Sequence, residues 1–283
     1  MQEVTVHSWD ASQAALPAWS LPKDAVDRIA LPTHWPDRVT REWALGESTG
    51  AGVRVCILDS GVDASHPLVG GLENAVVISI GDDEEVVAEE DTEGDVSGHG
   101  TACAGIVRRL APECGISSVR VLGSNFKGSG EVLLGGLRYA IEQGFDVINM
   151  SLSTTKKPFA NVLHELADTA YFKRAVLVAS AHNMPVESYP WRFSSVVSVG
   201  SHEEDDPLGF FYNPSPPVEF FGRGVNVEVP WSGGRTLTVS GNSFATPHIT
   251  SICALVLSKH PELTPFQLKS VLYLTANNVG GGR

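Results

Sequence analysis

The sequence has no apolar run long enough to cross a membrane, few cysteines, and fewer basic than acidic residues. Its first segment, MQEVTVHSWDASQAALPAW, lacks the basic start and apolar core of a secretory signal. Lysine and arginine number 20 against 33 aspartates and glutamates, so the net charge is −13 at pH 7. An acidic chain is poorly suited to binding nucleic acid, whose phosphates attract basic surfaces. These absences predict a cytoplasmic protein with no membrane or nucleic-acid partner.

Only four cysteines occur in 283 residues, at positions 56, 103, 114 and 253. Three of them lie inside apolar segments, which is typical of buried free thiols and not of a disulfide framework. Cys103 follows His99 by four residues, and on a helix this spacing can also place two metal ligands on one face. The sequence offers that pair no evident third and fourth ligand. We therefore interpret Cys103 as a buried thiol and predict no metal site.

From Val53 onward the chain alternates apolar, β-rich runs with helical segments. The strand-like runs are VRVCILD, SSVRVL, FDVINMSLS, RAVLVASA and SSVVSVG, and the helical segments between them are HGTACAGIVRRL, GEVLLGGLRYAIEQG and NVLHELADTAYFKRA. This alternation predicts an α/β fold, a three-layer sandwich whose mostly parallel central sheet is flanked by helices. Two more helices follow, one after Ser243 and one after Thr264. Thr264 is a suitable N-cap residue, because the proline that follows it is favoured at the first position of a helix. Residues 1–45 are irregular and are predicted to pack on this core as an extension, with residues 46–283 as one domain.

Three short segments carry residues that can act together in acyl transfer. LDSGVDASHP places Asp59 at the end of a strand, whereas SGHGTACAG and SGNSFATPH place His99 and Ser243 at the starts of helices. A serine nucleophile needs an imidazole to take its proton, and the imidazole needs a carboxylate to orient it. A plain N-cap is the alternative for Ser243, because serine is common at that position.

DSG, HGT and GNSFATP, in this order, resemble the three catalytic blocks of the subtilisin-like serine proteases, the subtilases. VINMSLS resembles the substrate-binding strand of that family, and VLVASAHN resembles its oxyanion segment. The resemblance implies the subtilisin-like fold and a serine endopeptidase in which Ser243 is the nucleophile, His99 the general base and Asp59 the residue that orients it. It also implies that Asn183 and the backbone N–H of Ser243 donate to the oxyanion.

The resemblance places a peptide substrate along Ser151, Leu152 and Ser153, whose backbone is expected to pair with it as an added strand. Ser153 and His182 stand where glycine is common in the family, so their side chains are expected to reshape the pocket for the residue before the scissile bond. For His182, the alternative is a loop histidine that folds back on its own backbone. Asn242 stands where the family usually has threonine, and activity is expected to survive this exchange.

The acidic run GDDEEVVAEEDTEGD, residues 81–95, precedes His99. One interpretation is a solvated, mobile loop. The other is a surface beside the cleft that attracts basic residues of a substrate, with Asp95 nearest the site and Glu187 as a second carboxylate for a basic side chain. The expected partner is a peptide or protein substrate with basic residues near the scissile bond.

This chain differs from bacterial subtilisins in the segment that helps build their high-affinity calcium site. The helix after His99 carries no inserted loop of the kind that helps build their high-affinity calcium site, so no cofactor is expected. Two roles are open for such an enzyme, broad intracellular turnover and selective maturation of one peptide. The compact core, the side chains at the pocket positions 153 and 182 and the missing secretion signal favour a selective processing protease, for example one that removes a leader or otherwise matures a peptide natural product. The alternatives are a transpeptidase or macrocyclase that resolves the same acyl-enzyme with an amine, and a latent or inactive peptide-binding module.

Overall fold

The computed structural model describes residues 20, 21, 25, 29, 35–81, 83 and 85–279. Contacts within the chain divide it into two units, residues 1–36 and 37–283. The elements given below belong to the second unit. The extension predicted over residues 1–45 lies mostly outside the described residues. Within it, helix α1 (Arg41–Ala44) is described, and it contacts the two C-terminal helices.

The described residues contain eleven β-strands, nine of them in one sheet. Their bounds are β1 Arg54–Asp59, β2 Asn74–Ile80, β3 Val86–Glu90, β4 Gly115–Arg120, β5 Val147–Met150, β6 Val176–Ser180, β7 Val197–His202, β8 Phe210–Tyr212, β9 Phe220–Arg223, β10 Val227–Trp231 and β11 Arg235–Val239. The sheet order is β3-β2-β4-β1-β5-β6-β7-β9-β8, and β10 pairs with β11 as a separate hairpin. Within the sheet, β3 and β8 at the two edges pair antiparallel with their neighbours, and the other pairings are parallel. The predicted mostly parallel sheet is confirmed.

Helices cover both faces of the sheet. The bounds of the remaining helices are α2 His99–Leu110, α3 Gly130–Glu142, α4 Ala160–Phe172, α5 Asn242–Lys259 and α6 Pro265–Thr275. Helices α3 and α4 share one apolar cluster with strands β1, β2, β4, β5 and β6. Helices α2 and α5 pack together, and on that side Thr250 of α5 donates a hydrogen bond to Asn149 of β5 at 2.9 Å. Burial from both sides explains the continuous apolar runs of the central strands and confirms the three-layer fold. No helix among the described residues is long and apolar enough to span a membrane.

The starts of the two C-terminal helices differ. Thr264 caps α6 in a capping box with Gln267, as the sequence predicts. Helix α5 begins after Gly241 with no side-chain cap, so the N-cap interpretation of Ser243 is wrong. Pro247 is the sixth residue of α5 and lies inside the helix. The Ser243 hydroxyl is therefore not used to start its helix.

Part of the acidic run is a strand and not a loop. Val86–Glu90 forms β3, which pairs antiparallel with β2 and places Glu90 opposite Val76. The strand forms because Val87 is half-buried and Val86 packs near Gly135 of α3, whereas Glu89 and Glu90 face solvent. The interpretation of residues 81–95 as one mobile loop is wrong for these five residues.

Candidate active site

Asp59 and His99 meet at the carboxyl end of β1. The Nδ1 atom of His99 lies 2.9 Å from Oδ1 and 3.0 Å from Oδ2 of Asp59. Asp59 is fully buried, and its Oδ1 also accepts the backbone N–H of Ser60 at 2.8 Å. Glycine is required at position 100, because a side chain there would collide with the carbonyl oxygen of Gly61. The glycine after His99 thus lets α2 approach the Asp59 turn closely.

Two opposing influences set the pKa of His99. Burial disfavours the charged ring and lowers this pKa, whereas the adjacent Asp59 carboxylate raises it. The carboxylate outweighs burial, and the pKa of His99 lies well above its ordinary value. The ring therefore binds a proton strongly, as a base that takes one from a hydroxyl must.

Cys103 lies one turn after His99 on α2, close to both Asp59 and His99. Its Sγ atom is 3.9 Å from Oδ2 of Asp59, 4.0 Å from Nδ1 of His99 and 3.8 Å from the carbonyl oxygen of Ser243. Sequence analysis assigned Asp59 to His99 but found no third ligand for the His99–Cys103 pair, whereas the structure brings one ligand atom of each of the three residues within 4.8 Å of the others. Burial raises the pKa of the Cys103 thiol, so it stays protonated. All four cysteines are buried and free, which confirms the prediction for the three in apolar segments and adds the fourth.

The turn that carries Ser243 is held by a chain of buried hydrogen bonds. Ser151 Oγ donates to the Ser243 carbonyl oxygen at 2.7 Å and accepts from Nδ2 of Asn149 at 3.1 Å. Asn149 is fixed in turn by Thr250 of α5. Sequence analysis assigned Ser151 to substrate binding, and its side chain has this additional role. It missed Asn149, although a polar residue inside the apolar run FDVINM was a visible sign.

Asn183 is tied to the segment before Ser243. Its Oδ1 accepts a hydrogen bond from the backbone N–H of Asn242 at 2.9 Å. The side-chain NH₂ group takes no part in this bond. A side chain at Gly241 would lie 3.4 Å from both Nδ2 of Asn183 and Oγ of Ser243. Glycine therefore keeps a space open between a hydrogen-bond donor and a hydroxyl. A substrate carbonyl group can occupy that space.

Asn242 joins the Asn183 segment to α5. Its Nδ2 donates to the carbonyl oxygens of Ala181 and His182, both at 3.3 Å. Its Oδ1 accepts from the hydroxyl of Ser201 at 2.8 Å. The sequence showed only that Asn242 departs from the family pattern, because these partners come from β7 and the loop after β6.

A cavity of about 370 Å³ adjoins Asn242. Residues that line it include His182, Met184, Val186, Glu187 and Arg192. His182 combines the two predicted behaviours, since it lines the cavity while its Nδ1 accepts the backbone N–H of Met184 at 3.0 Å. Leu152 and Ser153 follow β5 half-exposed, and the next residue, Thr154, forms an antiparallel bridge with Tyr189.

Glu187 is already paired within the protein. Its Oε1 accepts the Tyr189 hydroxyl at 2.7 Å and lies 3.2 Å from the Arg192 guanidinium. The Tyr189 hydrogen bond and the Arg192 charge lower the pKa of Glu187. A basic substrate side chain would have to compete with Arg192 for this carboxylate.

The structure corrects the predicted role of Asp95. Its Oδ1 accepts from the Ser60 hydroxyl and from the backbone N–H groups of Ser97 and Gly98, at 2.7–2.9 Å. Its Oδ2 accepts from the backbone N–H and the hydroxyl of Thr101. Both oxygens are occupied in holding the start of α2, so Asp95 is not a free carboxylate for basic substrate residues.

Known proteins are similar to this chain in sequence and in fold. The model of the subtilase family, peptidase S8, matches residues 50–283. Subtilisin DY of Bacillus licheniformis is 32% identical over 249 residues, which cover 82% of this chain and 86% of that protein. The thermostable alkaline protease of Halalkalibacterium halodurans is 31% identical over 242 residues, covering 82% of this chain and 64% of that protein. The crystal structure of a cold-adapted subtilisin-like serine proteinase has a TM-score of 0.66 and 27% identity, covering 83% of this chain and 86% of that one.

The fold and these relatives define an enzyme of the serine endopeptidase class. The chain belongs to the subtilase family.

Proposed function

We propose that the protein cleaves peptide bonds through an acyl-enzyme on Ser243. His99 takes the Ser243 proton as Oγ attacks the scissile carbonyl carbon, and it gives the proton to the amine as the C–N bond breaks. Water then hydrolyses the ester by the same steps in reverse order. The observation that carries this proposal is the contact of His99 Nδ1 with buried Asp59, which leaves Nε2 as the ring atom for the serine.

The oxyanion of the tetrahedral intermediate is proposed to bind Nδ2 of Asn183 and the backbone N–H of Ser243. The space that Gly241 leaves between Asn183 and Ser243 supports this placement. Loss of one such donor typically costs roughly 3–4 kcal/mol of transition-state stabilisation. The acyl part of the peptide would pair with the backbone of residues 151–153, which gives affinity with little dependence on side chains.

We further propose that this is a selective processing protease. His182 lines the proposed pocket at a position where the family resemblance leads us to expect glycine, and its ring is held in place by the Met184 N–H. A fixed side chain therefore shapes this pocket, which favours discrimination between substrates. Basic residues near the scissile bond are expected to be attracted by the net charge of −13, and not by Asp95.

The test is to incubate the protein and its Ser243→Ala variant with a diverse peptide library in excess EDTA and to read the products by mass spectrometry. Cleavage by the wild type alone supports a calcium-independent serine protease, and the cut sites define its pocket. Joined or cyclic products would instead support the transpeptidase alternative. A fluorophosphonate probe that fails to label Ser243, together with intact peptides, would contradict the proposal.

A further inference from the structure

A buried ion pair joins Arg120 to Asp91, and neither the sequence motifs nor the proposed mechanism uses it. Arg120 is the last residue of β4, and Asp91 follows β3. The Nε and Nη2 atoms of Arg120 each lie 3.0 Å from a different carboxylate oxygen of Asp91. The Asp91 side chain is fully buried, and 16% of the Arg120 side chain is exposed. Two parallel hydrogen bonds of this kind fix the orientation of both groups as well as their distance.

The pair also shapes the backbone that follows Asp91. Stability is a weak reason to bury two charges, because removing them from water costs free energy that their attraction offsets only in part. The Oδ1 atom of Asp91 accepts two further hydrogen bonds, from the backbone N–H groups of Glu93 and Gly94 at 3.2 and 3.1 Å. Arg120 also contacts Glu93, through Nη1 at 3.1 Å. The pair therefore fixes the backbone turn of residues 91–94, which we call the support turn.

The support turn lies against the turn that carries Asp59. A side chain added at Gly61 would collide with the carbonyl group of Gly94 and would lie 3.1 Å from Cδ of Arg120. The residue after Arg120, Val121, donates its backbone N–H to the carbonyl oxygen of Asp59 at 2.8 Å. Arg120 and its neighbour on the chain therefore contact the Asp59 turn at two points.

Helix α2 contacts the same turn. The carbonyl oxygen of Gly61 lies where a side chain at Gly100, the residue after His99, would be. Gly61 thus contacts the support turn, Arg120 and the helix that carries His99. A shift of the support turn would move the Asp59 turn relative to α2, and the Asp59 carboxylate would then move relative to the His99 ring.

We propose that Arg120 and Asp91 are positioning residues, which hold the Asp59 carboxylate at hydrogen-bond distance from Nδ1 of His99. This inference rests on the proposed function, because it takes His99 as the base. The contacts of the pair given above belong to the base side of the site and include none of residues 151–153, along which the substrate is proposed to lie. Loosening the pair should therefore slow the chemical step and leave substrate affinity unchanged.

The test uses Arg120→Lys, which keeps the positive charge and loses the two parallel hydrogen bonds. With one peptide built on a cut site found with the library, we expect kcat to fall about tenfold and KM to stay unchanged, because small displacements of catalytic groups cost rate. The pH midpoint of kcat/KM should move to lower pH, since a carboxylate farther from His99 raises its pKa less. Among the described residues, the titratable groups that act on His99 are Asp59 and Cys103, and both remain in place.

A second variant and a control complete the set. Asp91→Asn should lower kcat and the pH midpoint as Arg120→Lys does. Arg54→Lys is the matched control, because it makes the same exchange at the start of β1, five residues before Asp59. The Arg54 guanidinium lies 4.0 Å from Glu73, and both side chains are about half exposed. The control should leave kcat, KM and the pH midpoint unchanged.

An Arg120→Lys enzyme with the kcat and the pH midpoint of the wild type would overturn the inference, as would a rise in KM at unchanged kcat. If neither Arg120→Lys nor Asp91→Asn folds, as measured by circular dichroism, the pair is purely structural and the inference is also overturned. Cleavage by the wild type together with probe labelling of Ser243 separates these outcomes from failure of the proposed function, in which both are missing.

Discussion

The Asp59–His99 contact is expected to set the lower pH limit of activity. The base must be neutral to accept the serine proton, and the carboxylate raises the pKa of His99 well above 6.5. We predict that kcat/KM rises with pH through a midpoint above 6.5. In Asp59→Asn the largest influence that raises the pKa of His99 is gone and burial remains, so the midpoint should move to lower pH while kcat falls roughly 10⁴-fold. Pre-steady-state or steady-state pH profiles with one peptide measure both effects, and an unmoved midpoint would contradict this assignment.

Asn242 is a second single residue on which the site geometry depends. Asn242→Ala removes the contacts to Ala181, His182 and Ser201, so the segment that carries Asn183 is less firmly placed against α5. Small displacements of catalytic groups cost up to about 10²-fold in rate. We predict a fall in kcat of that order with little change in KM. Ser201→Ala removes one of the three contacts and should have a smaller effect, and equal effects of the two variants would contradict this role of Asn242.

Helix α2 depends on a carboxylate that precedes it by four residues. Asp95 accepts N–H groups of Ser97, Gly98 and Thr101, which include donors left unpaired at the start of the helix. We predict that Asp95→Ala lowers the free energy of unfolding by about 2 kcal/mol and lowers kcat, because His99 is the first residue of α2. Chemical unfolding followed by circular dichroism gives the first quantity. Glu89→Gln, an exposed site in the same acidic run, should change neither.

The elements also show what local sequence could and could not predict. The run HGTACAGIVRRL has the bounds of α2, and the motif residues Asp59, His99 and Ser243 each belong to a short segment that can be recognised alone. The distant partners of Asn149 and Asn242 could not be recognised, because they lie on other elements about 40 to 100 residues away. Most partners of Asp95 follow it within six residues, but its distant bond from the Ser60 hydroxyl also depends on the fold. Strand β3 was not predicted, because its sequence is rich in charged residues and its pairing with β2 cannot be read from the local sequence.

Over the whole molecule, stability is predicted not to require calcium. Helix α2 runs unbroken to Leu110, and residues 111–114 lead directly to β4, which leaves little room for an ion-binding insertion. We expect the melting temperature in excess EDTA to equal that in buffer, and calcium added back should not raise it. An ion that binds the native state raises the melting temperature with concentration, so a calcium-dependent rise would contradict this prediction.

The acidic strand β3 has a consequence for how molecules behave in concentrated solution. Among the described strands it forms one edge of an open sheet, and such an edge offers unpaired backbone groups to a strand of another molecule. Glu89 and Glu90 stand exposed on it, so a second copy approaching edge to edge brings like charges together. Protonation in acid would remove this repulsion. The acidic residues of this strand thus disfavour edge-to-edge pairing of two copies at neutral pH.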